Sequence, residues 1–452
     1  MEEYRLLSTS GLLGYGFPEA SLKAGLARKP HMIGVDGGST DPGPYYLGSG
    51  ECLNSRDSMK RDLALMLRAA LAEKIPLVVN SCGGAGSEPH LQAVAELVRE
   101  IAREDRSHFR LAIIHAEVPK REVEKFLAER RVTPLRNVPP LDVATIRSAS
   151  RIVGMMGPEP FMRALDEGAQ VVLSGRSTDP APWAACAMRA GMPPAPSWYA
   201  GKMLECGSTP ALPKGHDCLF VNVRKDHVIT EPTNPSRRCT PFSVATHSLH
   251  ENPSPVVHEE PGGILDTTRC RFEPVSERAV KVSGMTWERR PYSIKLEGAT
   301  LVGHRAITIC GTRDPVLISQ IDDYLARARD DIESRAANFG VPRDEYRMII
   351  HVYGKNGVMG GAEPLREIRS HELCLLIEVV ADTQQKANSV LSIARVVIGK
   401  VDFPGRLCKS GNMAFPFSPS DIPVGPVYRF SVFHVVNGID PYSLFPIEYE
   451  SV

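Results

Sequence analysis

The chain has 452 residues, more than one hydrophobic core usually serves, so two or three domains are expected. Its 53 basic residues balance 53 acidic ones, so no global field points to nucleic acid or a membrane as partner. The first residues lack the basic-then-apolar run of a signal peptide, and no apolar stretch approaches the roughly 18 to 20 residues of a membrane span. The ten cysteines form no C-x-x-C pair, so reduced thiols and a cytoplasmic location are the expectation.

The first half alternates short apolar runs with helical spacing. Strands are predicted at His31–Asp36, Ile75–Asn80, Phe109–His115, Ile152–Met156 and Val171–Ser174, with helices at Arg61–Ala72, Leu91–Ala102, Lys120–Arg130 and Pro158–Glu167. Such repeated units call for a mostly parallel sheet with helices on both faces, whose chemistry sits at the carboxyl ends of the strands. From Pro193 to about Pro274 the sequence is rich in Pro, Gly, Cys and His, with short strands such as Cys218–Val223. A long irregular span without low-complexity runs reads as ordered and functional.

The last third gives strands at Arg305–Cys310, Arg347–Tyr353, Leu373–Val380 and Val427–Val436. Helices run from Asp314 through about Ser334, with Asp as cap and Pro in the first turn, and over Gln384–Ile398. The order β-α-β-β-α-β is the split βαβ, or ferredoxin-like, arrangement. The expected architecture is therefore a mostly parallel, three-layer α/β domain over 1–275, followed by a ferredoxin-like (βαββαβ) α+β domain over 276–452.

An internal echo carries the strongest signal. Gly37-Gly-Ser-Thr-Asp-Pro-Gly-Pro44 recurs as Gly175-Arg-Ser-Thr-Asp-Pro-Ala-Pro182, with six of eight residues identical. Both copies follow an apolar strand, where ligands bind in a parallel sheet. Asp36, Ser39, Thr40 and Tyr45 around the first copy, and Arg176, Ser177 and Thr178 in the second, are candidates to bind substrate. Their hydroxyl and N–H groups suit a carboxylate, phosphate or thioester oxygen. Asp41 and Asp179 are candidate proton shuttles or metal ligands. A single Ser-Thr-Asp-Pro string reads as a capped turn; turn chemistry alone does not explain two copies at equivalent positions.

Other candidates stand on less. Asn80-Ser-Cys-Gly-Gly-Ala-Gly86 follows a strand, and its glycines allow close backbone approach, although it is neither a dinucleotide fingerprint nor a Walker A loop. Asn80 is taken as substrate-binding and Cys82 as a buried thiol before a nucleophile. Glu205, at a helix end, and His247 are candidate catalytic groups; His250, Glu251 and Asn252 follow, with Asn252 as a binding candidate. Lys355 and Asn356, in a loop too long for a tight hairpin, are expected to meet an anionic substrate. No His-Glu-x-x-His pattern supports zinc, and neither a metal nor a cofactor is identified by the sequence.

The strings Asp36-Gly-Gly-Ser-Thr-Asp-Pro-Gly-Pro-Tyr-Tyr-Leu-Gly48, Val244-Ala-Thr-His-Ser-Leu-His-Glu-Asn252, Tyr353-Gly-Lys-Asn-Gly-Val-Met-Gly360 and Gly411-Asn-Met-Ala-Phe-Pro-Phe-Ser-Pro-Ser420 resemble the acyclic terpene utilisation protein A family over essentially the whole chain. The resemblance implies a link to citronellol and geraniol degradation and to acyl-CoA and organic-acid catabolism. It brings no reaction and no established catalytic residues.

Three functions follow for testing. The first is a lyase or hydratase acting on a small carboxylate or CoA thioester and assembling as a homo-oligomer. The second is a non-catalytic assembly subunit. The third is an actin-like phosphate-binding kinase, from the likeness of Gly34-Val-Asp-Gly-Gly-Ser39 to a phosphate loop, although helical sequence follows where such kinases continue with strands.

Overall fold

Runs such as Leu77-Val-Val-Asn80 and Val171-Val-Leu-Ser174 are apolar at consecutive positions, which suits strands covered on both faces. In the computed structural model, which describes residues 2–249 and 254–452, they form the centre of a ten-stranded sheet. Met32, Val78, Ala112 and Val172 face one core; their neighbours Ile33, Val79, Ile113 and Leu173 face another. Helices Arg56–Glu73 and Glu88–Asp105 fill the second core with Leu63, Met66, Leu91, Val94 and Ile101 at helical spacing. Phe161, Trp183 and Trp198 fill the first.

The central strands run parallel in the order Tyr4–Ser8, Met32–Asp36, Leu77–Asn80, Val171–Ser174, Arg110–Ile114. The flanks correct the expectation of a mostly parallel sheet. Leu219–Val223 joins Tyr4–Ser8 antiparallel, and His227–Pro232 pairs antiparallel with Leu219–Val223, as the short connection between those two requires. Val280–Ser283 and Arg271–Pro274 extend that edge, and Ile447–Ser451 pairs antiparallel with Arg110–Ile114 at the other. Arg151–Gly154 does not enter this sheet; it pairs antiparallel with Leu296–Ala299. The middle span is ordered over its described residues, with the buried helix Pro194–Leu204, the half-buried helix Pro241–Ser248 and the strand pair Val257–Glu260 and Gly263–Asp266.

Two compact units result, Met1–Thr300 with Phe430–Val452, and Leu301–Arg429. The expected boundary after residue 275 is thus displaced, since the pairings of Val280–Ser283 and Leu296–Ala299 hold those segments in the first unit. In the second unit His304–Thr312 and Tyr346–Tyr353 both pair antiparallel with Leu373–Ala381. Helices Ile321–Asn338 and Gln384–Ile398 supply Tyr324, Ala328, Ile332, Leu391 and Ala394 to its core. Asp314 caps as expected, accepting from the N–H groups of Val316 and Leu317. The single helix expected from Asp314 breaks at Gln320, whose backbone leaves the helical region while its amide donates to Val316 O and Pro404 O. Among the described residues no helix is long and apolar enough to cross a membrane, and none of the ten cysteines is in a disulfide.

Candidate active site

Met32–Asp36, Leu77–Asn80 and Val171–Ser174 are three adjacent parallel strands, so the loops after them lie side by side at one edge of the sheet. The two Ser-Thr-Asp-Pro loops flank the Asn80–Gly86 loop. Their backbones interlock: the N–H of Gly37 donates to Asn80 O at 2.8 Å, that of Ser81 to Gly175 O at 3.1 Å, and that of Arg176 to Gly86 O at 3.0 Å. A Cβ on Gly37 would sit 2.3 Å from Asn80 O, and one on Gly86 2.3 Å from Arg176 N. Gly37 and Gly86 thus admit neighbouring protein backbone.

One carboxylate ties both copies of the repeat together. Glu297, fully buried, accepts from Thr40 Oγ1 at 3.0 Å and Arg176 Nε at 3.0 Å, and pairs with Lys295 Nζ at 2.7 Å. Burial alone would raise its pKa, but Arg176 and Lys295 outweigh that and hold it down at about 2. Arg176 Nη1 lies 2.9 Å from Asp179 Oδ1, 3.2 Å from Ser81 Oγ and 3.0 Å from Ser177 O. Burial opposes its charge, yet Glu297 and Asp179 keep the guanidinium firmly protonated.

Beside this clamp lies a group of carboxyls with a different electrostatic balance. Glu205, buried at the end of the Pro194–Leu204 helix, pairs with Lys202 Nζ at 2.5 Å. Burial dominates, Asp179 and Glu260 add repulsion, and the Glu205 carboxyl is pushed up to about 8 despite Lys202. Glu260 accepts from Thr178 Oγ1 at 2.6 Å and is raised to about 7, chiefly by desolvation. Asp36 is raised well above the usual carboxylate range by burial and then by Asp179, although the Gly38 N–H bonds it at 3.1 Å. His258 sits two residues before Glu260 on the same strand, so both project from one face. It is 2% exposed, neither ring nitrogen has a hydrogen-bond partner among the described residues, and burial, with Lys202 nearby, lowers it to about 4.

The structure thus brings Asp36, Thr40, Asn80, Arg176, Ser177, Thr178, Asp179 and Glu205 into one linked neighbourhood. Several expected tasks change. Thr40 and Thr178 give their hydroxyls to Glu297 and Glu260, and Arg176 gives Nε to Glu297 and Nη1 to Asp179, contacts that order the site. Asp41 is exposed; its N–H bonds Ser39 Oγ at 3.2 Å, the geometry of a turn. Tyr45 bonds Glu51 at 2.9 Å. His247 is buried with Nε2 3.1 Å from Lys202 O, which fixes the helix end that carries Lys202 and Glu205. Lys355 and Asn356 belong to the second unit, where Lys355 pairs with Asp322 and the Asn356 amide reaches Gly360 O. Asn252, with His250 and Glu251, lies outside the described residues. Cys82 is buried and its thiol is raised by desolvation, the opposite of an activated nucleophile.

Sequence reasoning missed Lys202 as a functional group, and Glu260, Lys295, Glu297 and His258 altogether. The strings Lys295-Leu-Glu297 and His258-Glu-Glu260 place charged or polar groups at period two within strands, a signal open to a reader looking for inward-facing polar residues. Among the described residues no three His, Cys, Asp or Glu side chains converge in a way that would hold a metal ion.

No curated protein and no solved structure matches the chain. The model of the family described as acyclic terpene utilisation family protein AtuA matches residues 55–211 and 218–405, a span that contains Asn80, the second Ser-Thr-Asp-Pro loop, Lys202, Glu205, Glu260 and Glu297. On that match over most of its length, the chain belongs to the acyclic terpene utilisation AtuA family.

Proposed function

We propose that this protein is a catabolic enzyme of acyclic terpene utilisation that moves protons on an acyl-CoA thioester or small carboxylate, as a lyase or hydratase. The observation that carries the reading is the group Asp36, Glu205 and Glu260, whose carboxyls are raised by burial to about 7 for Glu260 and about 8 for Glu205. Near neutral pH one member of such a group is ionised while another holds its proton, which is the requirement for paired base and acid. In a dehydration, the carboxylate takes the proton α to the carbonyl and a C=C bond forms. The β C–O bond breaks, and its oxygen leaves as water with the proton of the carboxylic acid. Hydration is the reverse.

A phosphate-binding kinase is disfavoured, because the backbone after Gly34 is occupied by contacts with the Asn80 loop. A purely structural subunit gives no reason to bury carboxyls whose ionised forms are destabilised. The β-α-β-β-α-β order and antiparallel pairings support reading the second unit as ferredoxin-like, and we assign it to self-assembly of the chain.

The test is solvent-hydrogen exchange. The purified protein, incubated in D₂O with a panel of saturated, enoyl and 3-hydroxyacyl-CoA thioesters, is expected to label the α-carbon of at least one. Glu205→Gln and Glu260→Gln are expected to slow labelling by about 10²-fold or more. Absence of exchange on every thioester and on the matching free acids overturns the reading.

A further inference from the structure

The neighbour of Asp36 in the sheet has an acceptor that no donor among the described residues meets. Asp36 and Asn80 are registered partners on adjacent parallel strands, so their side chains share a face at strand spacing, about 4.8 Å between backbones. Asn80 is fully buried. Ser177 Oγ donates its only proton to Thr178 O at 3.0 Å, so toward Asn80, 3.1 Å away, it acts as acceptor, and the group facing it is the Nδ2 donor. Oδ1 is therefore the free end, and among the described residues it accepts no hydrogen bond. A buried amide oxygen without a donor costs about 1–3 kcal/mol, and such groups in native proteins have a reason.

We infer that Asn80 Oδ1 is a recognition element for a substrate hydroxyl, so that the site takes a hydroxyacyl chain in preference to the same chain without the oxygen. The cation groups nearby do not compete for this acceptor. Arg176 directs Nε to Glu297 and Nη1 to Asp179, Ser81 and Ser177, and Lys202 is paired with Glu205. A hydroxyl is both donor and acceptor: its proton goes to Asn80 Oδ1, and its oxygen accepts from the neighbouring Asp36 carboxyl in its protonated form, the form that burial favours. The second contact places an acid on the oxygen that leaves in a dehydration, and so the hydroxyl sits on the β-carbon; that position rests on the lyase or hydratase reading, whereas the hydroxyl preference does not.

The experiment is titration calorimetry on the full chain with matched pairs: 3-hydroxybutyryl-CoA against butyryl-CoA, 3-hydroxyoctanoyl-CoA against octanoyl-CoA, and 3-hydroxybutyrate against butyrate to separate thioester from free acid. The hydroxylated member of at least one pair is expected to bind about tenfold tighter or more, since a site built to bond a hydroxyl discriminates strongly against its absence. Asn80→Leu, close in shape but without the acceptor, is expected to reduce that preference to within about twofold. Equal binding within every pair by the unaltered protein, no binding of any hydroxylated probe, or a preference that survives Asn80→Leu each overturns the inference. A clear preference without hydrogen exchange at the α-carbon leaves the inference standing and removes the lyase or hydratase reading; exchange without preference does the reverse.

Discussion

Replacing Glu297 by Gln keeps the shape of the side chain and removes the one charge on which both repeat loops converge. Arg176 then remains buried, with Asp179 as its only anionic partner at hydrogen-bond distance among the described residues. Breaking a buried ion pair from one side typically costs about 3–5 kcal/mol. The proton linkage gives an independent figure. The Glu297 carboxyl falls from an ordinary 4.5 to about 2 in the folded chain, and at about 1.4 kcal/mol per pKa unit this is roughly 3 kcal/mol. Because the folded value is the lower one, that stability is fully present above the unfolded pKa and is lost as pH falls from about 4.5 toward 2. Urea unfolding of both proteins from pH 8 downward checks this. The gap between them is expected to stay level to about pH 5.5 and to narrow as Glu297 in the parent takes up its proton. Equal stability at pH 7, or a gap that does not shrink on acidification, would refute the assignment of Glu297 as the charged tie between the loops.

Asp179→Asn is expected to lower α-carbon exchange by about 10²-fold or more, while Asp41→Asn leaves it within a few-fold, because only Asp179 reaches the buried cluster; equal effects in one exchange assay would contradict the placement. Gly37→Ala forces a Cβ against two backbone carbonyls, and a loss of about 2 kcal/mol or more is expected in chemical denaturation, against none if the loops separate freely. The His258 ring is expected to titrate near pH 4 in an imidazole NMR experiment; since this lies below the unfolded value of 6.5, its contribution to stability is lost as pH falls between the two, and a midpoint above 6 would count against its burial. Glu260 is raised, so the opposite sign holds: the folded protein binds the extra proton, stability declines as pH rises from 4.5 through about 7, and Glu260→Gln should remove that part of the decline in a thermal-unfolding series.

The sequence by itself determined the local structure and the family. Consecutive apolar residues at Met32–Val35, Leu77–Val79 and Val171–Leu173 have no solvent-tolerant face, so they had to be interior strands, and the 3.6-residue period of Ile321, Tyr324, Ala328 and Ile332 had to be a helix. The repeat placed two loops at strand ends before any coordinates were known, because its position after an apolar run is a purely sequential fact. What tertiary structure alone decided is how the second copy is built into a buried charge cluster. Asp41 and Asp179 occupy similar strings, but Gly38 stands where the second copy has Arg176, the partner of Asp179, so one aspartate is exposed and the other paired. Glu260 and Glu297, which bond the loops, and Lys295, which pairs with Glu297, lie on strands more than eighty residues away. A pKa depends on burial and on charges within a few ångströms, and the sequence separation of those charges sets no limit on how near they come. Antiparallel additions at both sheet edges were hidden for the same reason: a strand's direction is fixed by its partner, and neither the His227–Pro232 hairpin nor the returning Ile447–Ser451 segment encodes that partner in its own residues.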